Sequence, residues 1–174
     1  MLIIVLLVIF FILVFATMIY AGFSGAPYLP TSKKKLRAAL ALAQVRRGEI
    51  IGDLGSGDGR FLFLAAKETP AQVVIGWEIS LLPYLLSMIK KLFCRRFCRV
   101  TIIYGSFFKA DFSQLNVVYC FGLPKVMKKL EPKLLKELKP GSRLVSYAFS
   151  LPNLKPVKTL KLTRNSPPLL LYQF

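Results

Sequence analysis

The segment IIGDLGSGDGR at residues 50–60 carries the strongest fold signal in this chain. A short apolar run ends in the acidic Asp53, glycines then alternate with other residues, and an apolar pattern of helical period follows. The segment therefore predicts a β-strand, a tight loop and an α-helix in succession. Glycine suits such a loop because it adopts positive φ angles and lets a ligand approach the backbone closely.

The spacing of the glycines distinguishes between two classes of ligand. The dinucleotide fingerprint is G-x-G-x-x-G, but here the third glycine comes one residue early and Arg60 occupies its expected position. Asp53 and Asp58 would repel a pyrophosphate, whereas they would attract a ligand with a cationic amino group. An acidic residue followed by G-x-G-x-G resembles the first motif of S-adenosylmethionine (SAM) methyltransferases. A plain strand–helix turn is the alternative, although such a turn needs only one or two glycines.

Length and composition fit one folded domain preceded by an apolar segment. The chain has 174 residues, enough to bury one sizeable core. No charged residue precedes Lys33, and residues 2–21 are almost wholly apolar. About twenty such residues, at ~1.5 Å each, span the ~30 Å hydrocarbon core of a bilayer. We therefore expect a transmembrane helix at residues 1–21, a connector at 22–30 and a methyltransferase domain at 31–174.

Two other interpretations of the apolar segment fit the sequence less well than a membrane span. A cleaved signal peptide would need a basic start, a shorter apolar core and an A-x-A-like exit, and none of these is present. A buried helix of a soluble protein would be shorter and less uniformly apolar.

Basic residues follow the apolar segment before the first acid, Glu49, and they suit anionic lipid headgroups. Under the positive-inside rule they predict a single-pass membrane protein whose catalytic domain lies on the cytoplasmic side. These cations are Lys33, Lys34, Lys35, Arg37, Arg46 and Arg47.

The net charge of the chain indicates which macromolecules it could bind. The net charge of +17 would suit nucleic acid as well as an anionic membrane. However, a run of cations on one helix is usually a solvated face, so no nucleic-acid partner is expected.

The chain has no histidine and three cysteines, which predicts no metal site and no disulfide framework. Cys94 and Cys98 could face each other on a helix, but free thiols are expected in a reducing compartment.

Strand and helix patterns alternate along the rest of the chain. Strands are expected at 49–54, 73–78, 100–104, 116–121 and 143–149, and helices at 32–45, 59–67, 81–93 and 125–138. Residues 157–162 and 169–174 are expected to form a closing antiparallel hairpin. This order predicts an α/β fold, a Rossmann-like and mainly parallel sheet with helices on both faces. Ligands of such sheets bind beyond the carboxyl ends of the strands.

A second acidic residue ends the second predicted strand. Glu78 lies 25 residues beyond Asp53, and a carboxylate at this place can accept hydrogen bonds from two ribose hydroxyls. A solvated strand end is the alternative for Glu78. The loops after the third and fourth strands would add Ser106 with Phe107, and Phe121 with Gly122, to the same site.

Four segments resemble archaeal-type protein-lysine methyltransferases and the related mitochondrial enzymes that methylate a lysine in the c subunit of ATP synthase. Some of those relatives carry an N-terminal membrane segment. The similarity covers about residues 27–156, and the glycine motif by itself specifies only SAM binding. The segments are PYLPT at 27–31, DLGSGDGR at 53–60, GSFFKADF at 105–112 and KKLEPKLLKELKPGSRLVSYAF at 128–149.

The resemblance implies SAM as the cofactor and a role for each matching residue. The methionine part would be held by Asp53, Gly55, Ser56 and Gly57, the ribose by Glu78, and the adenine by Ser106 and Phe107. The pocket for methyl transfer would be lined by Tyr28, Phe121 and Pro124. Ser106 departs from the family, which more often has the longer Asn or Asp there to meet the adenine amino group.

The expected reaction, methyl transfer from SAM, needs little general acid or base catalysis. Methyl transfer from a sulfonium is an in-line displacement that depends on positioning and desolvation of the nucleophile. An apolar pocket favours the neutral form of a lysine nucleophile. We therefore expect a membrane-anchored SAM-dependent methyltransferase that N-methylates lysine in a membrane or membrane-associated protein. The alternatives are methylation of a lipid or small amphiphile, a basic nucleic-acid-binding protein, and a non-catalytic scaffold with a SAM fold.

Overall fold

A computed structural model describes residues 1, 3–5, 8, 9, 12, 31–93 and 98–174 of the chain. Most of the predicted transmembrane helix, the whole connector with Tyr28, and Cys94 lie outside the described residues. Within the described part, no helix is long and apolar enough to cross a membrane. The transmembrane helix therefore stays a prediction.

From residue 31 onward the described residues form four α-helices, seven strands and one 3-10 turn. The helices are α1 (Lys33–Ala43), α2 (Arg60–Glu68), α3 (Leu81–Leu92) and α4 (Pro124–Glu137). The strands are β1 (Ile50–Leu54), β2 (Val73–Glu78), β3 (Val100–Tyr104), β4 (Val117–Cys120), β5 (Arg143–Tyr147), β6 (Lys158–Leu160) and β7 (Leu169–Gln173). The 3-10 turn spans Phe107–Lys109.

The strands form one seven-stranded sheet in the order β3-β2-β1-β4-β5-β7-β6. Strands β1 to β5 are parallel to one another, and β7 runs antiparallel to both β5 and β6. The predicted parallel sheet with a closing antiparallel hairpin is confirmed. The strand order reverses between β1 and β4, and this reversal opens a cleft at the carboxyl ends of the strands.

Helices cover both faces of the sheet, as the alternation of strands and helices predicts. Buried residues of α1 and α2, such as Leu36 and Leu62, pack on one face together with part of α3. On the other face α4 packs through its apolar stripe, which includes Met127 and Leu130, against Trp77 and Phe112. The sheet therefore lies between two apolar cores, one on each face.

Two predicted boundaries differ from the structure because residues other than glycine adopt positive φ. Helix α1 ends at Ala43 rather than near residue 45, since Gln44 takes a left-handed conformation with φ 49°. Strand β5 ends at Tyr147 rather than 149, since Ala148 has φ 73°. Neither residue type signals such a bend in a sequence.

Candidate active site

The glycine loop lies at the carboxyl end of β1 and is held against β2. The backbone N–H groups of Gly55 and Ser56 both donate to the carbonyl of Trp77, at 3.0 and 2.9 Å. Gly55 has φ 89°, and a Cβ atom there would meet no atom within 4 Å. The backbone at Gly55 therefore faces open space, where a ligand can approach it closely.

Gly76 of β2 is a structural glycine that the sequence analysis missed. A Cβ atom at this position would lie 2.5 Å from Leu62 Cδ1 and 2.7 Å from Ser56 Cβ. Gly76 therefore allows α2 and the glycine loop to pack directly on the sheet. A glycine inside a strand pattern is the signal that could have identified this close approach.

Asp53 is a buried carboxylate in an unfavourable electrostatic environment. It is only 3% exposed at the end of β1. Burial raises its pKa well above the usual range, and the nearby charges of Glu78 and Asp58 raise it further. A cationic group placed beside Asp53 would stabilise its ionised form. This environment agrees with the role predicted for Asp53 toward the amino group of SAM.

Glu78 is buried at the tip of β2, so its interpretation as a solvated strand end is wrong. Its Oε2 accepts a hydrogen bond from the Gly57 N–H at 2.7 Å, and its Oε1 accepts one from the Ser80 N–H, also at 2.7 Å. Each carboxylate oxygen has a second lone pair. Both oxygens can therefore still accept hydrogen bonds from ribose hydroxyls.

Asp58 does not have the role that the sequence analysis predicted for it, which was to attract a cationic ligand. Its carboxylate lies 2.9 Å from Arg60 Nε and 2.6 Å from Lys90 Nζ. Burial alone would raise the pKa of Asp58, but hydrogen bonds from these two cations outweigh it and lower the pKa to about 2. Because the protein already balances this charge, the expectation that Asp58 attracts a cationic ligand is corrected. The attraction rests on Asp53.

The loop after β3 brings Ser106 beside Glu78. The Gly105 N–H donates to the Glu78 carbonyl at 2.8 Å, which holds the start of this loop at the tip of β2. Ser106 Oγ accepts a long hydrogen bond, 3.3 Å, from the Phe108 N–H. Phe107 is buried in the core on the α4 face. The structure thus places Ser106 in the loop next to the tip of β2, while Phe107 contributes mainly to packing, and the adenine role of both residues stays a prediction.

Of the three residues predicted for the methyl-transfer pocket, Phe121 has the most informative contacts. It directly follows β4, and its ring lies 4.8 Å from that of Tyr147 and 6.4 Å from that of Phe149, centroid to centroid. Pro124 begins α4 and is exposed. Tyr28 lies outside the described residues. The structure therefore places Phe121 in an aromatic cluster with Tyr147 and Phe149.

Tyr119 was not predicted as a site residue, yet it is the direct neighbour of Asp53 in the pairing of β1 with β4. Its buried hydroxyl has no hydrogen-bond partner among the described residues. Burial raises the pKa of this hydroxyl, and the charge of Asp53 raises it further. The nearby Thr31 side chain has the opposite, smaller effect on this pKa, although it does not form a hydrogen bond of normal geometry with the hydroxyl. A tyrosine within an otherwise apolar strand was the available signal.

Lys35 is a second residue that the sequence analysis did not assign to the site. Its Nζ donates a 2.6 Å hydrogen bond to the hydroxyl of Tyr147 at the end of β5. Tyr147 in turn contacts Phe121. A cation thus lies at the border of the aromatic cluster. No local pattern could have shown this, because the two residues are 112 positions apart.

These features fit SAM. Asp53 offers an unmatched negative charge for its amino group, Gly55 offers accessible backbone, and Glu78 offers free lone pairs for its ribose. Buried hydroxyls that lack a hydrogen-bond partner within the described chain are costly, about 1–3 kcal/mol each. Two such hydroxyls occur among the described residues. Ser56 Oγ lies in the glycine loop, and Tyr119 Oη belongs to the residue that pairs with Asp53. When bound, SAM supplies an electrophilic methyl group.

Comparisons with known proteins agree with this site. The family model of the ANTKMT methyltransferase domain matches residues 53–158. A protein-lysine N-methyltransferase of Saccharolobus islandicus is 39% identical over 137 residues, which cover 78% of this chain and 84% of that relative. A human lysine N-methyltransferase, named for the c subunit of ATP synthase, is 30% identical over 132 residues. That match covers 75% of this chain, which spans about half (54%) of the human relative.

A solved structure shares both fold and ligand class. The RNA methyltransferase from Salinibacter ruber, in complex with S-adenosyl-L-homocysteine, is 31% identical with a TM-score of 0.78. The match covers 83% of this chain and 93% of that chain. S-adenosyl-L-homocysteine is what remains of SAM after it has lost its methyl group. This chain therefore belongs to the ANTKMT methyltransferase family of SAM-dependent protein-lysine methyltransferases, and its cofactor is SAM.

Proposed function

We propose that this protein N-methylates a lysine side chain of a membrane or membrane-associated protein. The observation that carries the proposal is the 39% identity to an archaeal protein-lysine N-methyltransferase over a region that contains the whole site from Asp53 to Phe121. The intact Asp53, Glu78 and glycine loop also count against a non-catalytic scaffold.

The aromatic cluster of Phe121, Tyr147 and Phe149 suits a lysine acceptor. Burial among apolar aromatic side chains disfavours the charge of an entering ammonium group. The Lys35 cation, held on Tyr147, would disfavour a second positive charge nearby and so lower the pKa of an entering lysine. These side chains would thus favour the neutral amine, which is the nucleophile, and the released proton can pass to water.

The membrane location is supported by the sequence. Residues 2–21 are almost wholly apolar, and a run of cations begins at Lys33. The apolar side chains described in this segment, such as Ile3, Ile4 and Ile12, are more than half exposed, so the folded domain does not cover them. We infer a single-pass anchor with the catalytic domain on the cytoplasmic side.

The proposal is tested by incubating native membranes and the soluble fraction with methyl-labelled SAM and the full-length protein. We expect label in membrane protein, released by protease and recovered as methyl-lysine after hydrolysis. The Asp53→Ala variant serves as the inactive control. Protease-resistant label that extracts with lipids would instead establish a lipid or small amphiphile as the acceptor and would overturn the lysine proposal.

Nucleic acid is a second candidate acceptor, favoured by two observations. The Salinibacter ruber protein of similar structure is an RNA methyltransferase, and α4 exposes several lysines, among them Lys125, Lys128 and Lys129. Binding through phosphate contacts would weaken steeply with salt. Ribonuclease-sensitive label in the same assay would support this candidate, and label that survives ribonuclease but not protease would exclude it.

A further inference from the structure

Helix α3 exposes apolar side chains along its outer side. Leu82, Leu86 and Ile89 are 38%, 42% and 50% exposed, and Leu92 and Phe93 at the end of the helix are 79% and 87% exposed. Positions 82, 86, 89 and 93 follow the spacing of one helical face. We call these five residues the α3 face.

Packing within the described fold does not account for the α3 face. The inner side of α3 is already apolar, with Pro83 buried and Tyr84 and Met88 packed on the core. A helix at a protein surface normally presents polar residues outward. Contiguous exposed apolar surface marks an interaction site, whereas a single exposed residue such as Leu135 of α4 does not.

The neighbouring edge of the sheet extends the apolar surface. Tyr104, the last residue of β3, is 49% exposed, and its side chain lies on the same face of the sheet as α3. The Tyr104 ring lies 5.2 Å from that of Tyr84 on α3, centroid to centroid. The exposed part of Tyr104 therefore lies beside α3 at the edge of the sheet.

Charge indicates which partner would cover this side. Between Glu78 and Asp111 the described residues include four cations and no acid. Lys90 is engaged with Asp58, and Arg99 donates to the backbone carbonyls of Ala66, Thr69 and Ala71. Lys91 and Lys109 add positive charge that no acid of this segment offsets. A second copy would bring another net charge of +17 against the same surface, which is unfavourable. An anionic bilayer attracts basic residues by about 1 kcal/mol each near its surface.

We propose that the α3 face lies on an anionic membrane surface, with its leucine, isoleucine and phenylalanine side chains among the lipid headgroups. An apolar helical face accompanied by basic residues is typical of interfacial helices. This contact is additional to the predicted span at residues 1–21. It rests on the proposed membrane location but does not depend on which group receives the methyl.

The position of α3 gives the contact a consequence for the site. Helix α3 begins three residues after Glu78, so its first turn and Leu82 lie at the edge of the sheet that carries the SAM site. A domain that rests on its α3 face therefore holds the rim of the site near the bilayer surface. An acceptor side chain close to the headgroups would then need to reach only a short distance.

A fluorescence experiment on the full-length protein in vesicles tests the proposal. An environment-sensitive label is attached to Leu86→Cys in a chain that also carries Cys94→Ser and Cys98→Ser; Cys120 is fully buried and stays unlabelled. Leu135→Cys on α4 is the matched control, since Leu135 is also an exposed leucine (57%) but lies on the opposite face of the sheet. The vesicles contain phosphatidylcholine with or without phosphatidylglycerol.

We expect the label at position 86 to shift to shorter wavelength and to be quenched several-fold more by headgroup-level nitroxide lipids than the label at position 135. The effect should require phosphatidylglycerol and weaken with salt. Equal quenching at the two positions, or equal quenching without phosphatidylglycerol, would overturn the proposal. A shift that appears without vesicles and grows with protein concentration would overturn it too, by showing that a second copy covers the face.

A functional readout separates this proposal from the proposed activity. The Leu86→Gln/Ile89→Gln variant should bind SAM as the wild type does and lose methylation of native membranes several-fold, whereas Leu135→Gln should lose neither. Quenching at position 86, combined with no protein methylation by the wild type, would support the membrane contact of the α3 face and contradict the proposed activity. Full methylation by the double variant would contradict a role for the α3 face in placing the site.

Discussion

Glu78 accepts a hydrogen bond from the backbone N–H of Gly57, with 2.7 Å between the two atoms, across 21 positions of sequence. The bond joins the loop after β1 to the tip of β2. With the second bond from the Ser80 N–H, it holds the carboxylate in place at the tip of β2. The glycine loop and the acidic residue are therefore one structural unit.

Replacement of Glu78 should disturb both the loop and the ligand. In Glu78→Gln one oxygen becomes an amide NH₂, which cannot accept from the Gly57 or Ser80 N–H. We expect a loss of about 1–3 kcal/mol of stability, because a buried N–H loses its acceptor, and SAM affinity at least tenfold lower. Thermal unfolding and calorimetric titration measure these effects. Wild-type SAM affinity in Glu78→Gln would mean that the ribose binds elsewhere.

We expect the ionised carboxylate of Asp53 to lower the stability of the ligand-free protein and to favour SAM binding. Its pKa is raised in the folded protein, so the ionised carboxylate costs stability, and this cost grows as pH rises through the raised pKa. We therefore expect Asp53→Asn to raise the melting temperature of the ligand-free protein at pH 7 and to weaken SAM binding at least tenfold. The difference in melting temperature should shrink as pH falls below the raised pKa.

The same variant also tests the electrostatic argument. Unchanged stability together with unchanged affinity would show that the charge of Asp53 faces neither the protein acids nor the ligand. For the wild type, SAM affinity should decline at acidic pH as Asp53 becomes protonated. Calorimetry over a series of pH values checks this.

Substitution of two glycines by alanine should distinguish a glycine needed for packing, Gly76, from one needed for ligand binding, Gly55. Gly76→Ala places a Cβ atom 2.5 Å from Leu62 Cδ1, and overpacking of this kind costs about 1–3 kcal/mol. Gly55→Ala meets no protein atom within 4 Å, so its cost is the left-handed backbone, about 1–2 kcal/mol. We expect Gly55→Ala to bind SAM much more weakly at a temperature where it is folded. If Gly55→Ala binds SAM normally, the ligand does not approach this backbone.

Asp58 should contribute stability that disappears in acid. Its folded-state pKa of about 2 lies below the ordinary value of 3.8, so the contribution is complete above pH 3.8 and is lost as pH falls toward 2. Asp58→Asn should lower the free energy of unfolding at pH 7 by about 1–2 kcal/mol, after allowance for the partly exposed Arg60 and Lys90. The exposed pair of Arg37 with Glu68 gives the control, since Glu68→Gln should change stability little.

Local patterns were sufficient for most of the secondary structure. The apolar runs at 73–78 and 100–104 match β2 and β3 residue for residue, because both are rich in β-branched and aromatic residues, which favour strands. The helix behind the glycine loop was predicted within one residue. The ends of α1 and β5 were not, since Gln44 and Ala148 bend the chain in a way that neither residue type favours.

For the site, the sequence by itself determined the ligand class. Glycine spacing and an acidic residue at the end of an apolar strand are local features, and both depend on backbone conformation and charge within a few residues. Asp53 and Glu78 therefore took their predicted places at neighbouring strand ends, and the loop that carries Gly55 lies open beside them.

Only the tertiary structure decided which charges and hydroxyls remain available. Lys90 balances Asp58 from 32 positions away, Lys35 reaches Tyr147 across 112 positions, and Tyr119 meets Asp53 only because β4 pairs with β1. The exposure of the α3 face likewise depends on which elements cover it. Electrostatic balance, hydrogen bonding and burial are set by neighbours in space, and those neighbours exist only once the chain has folded.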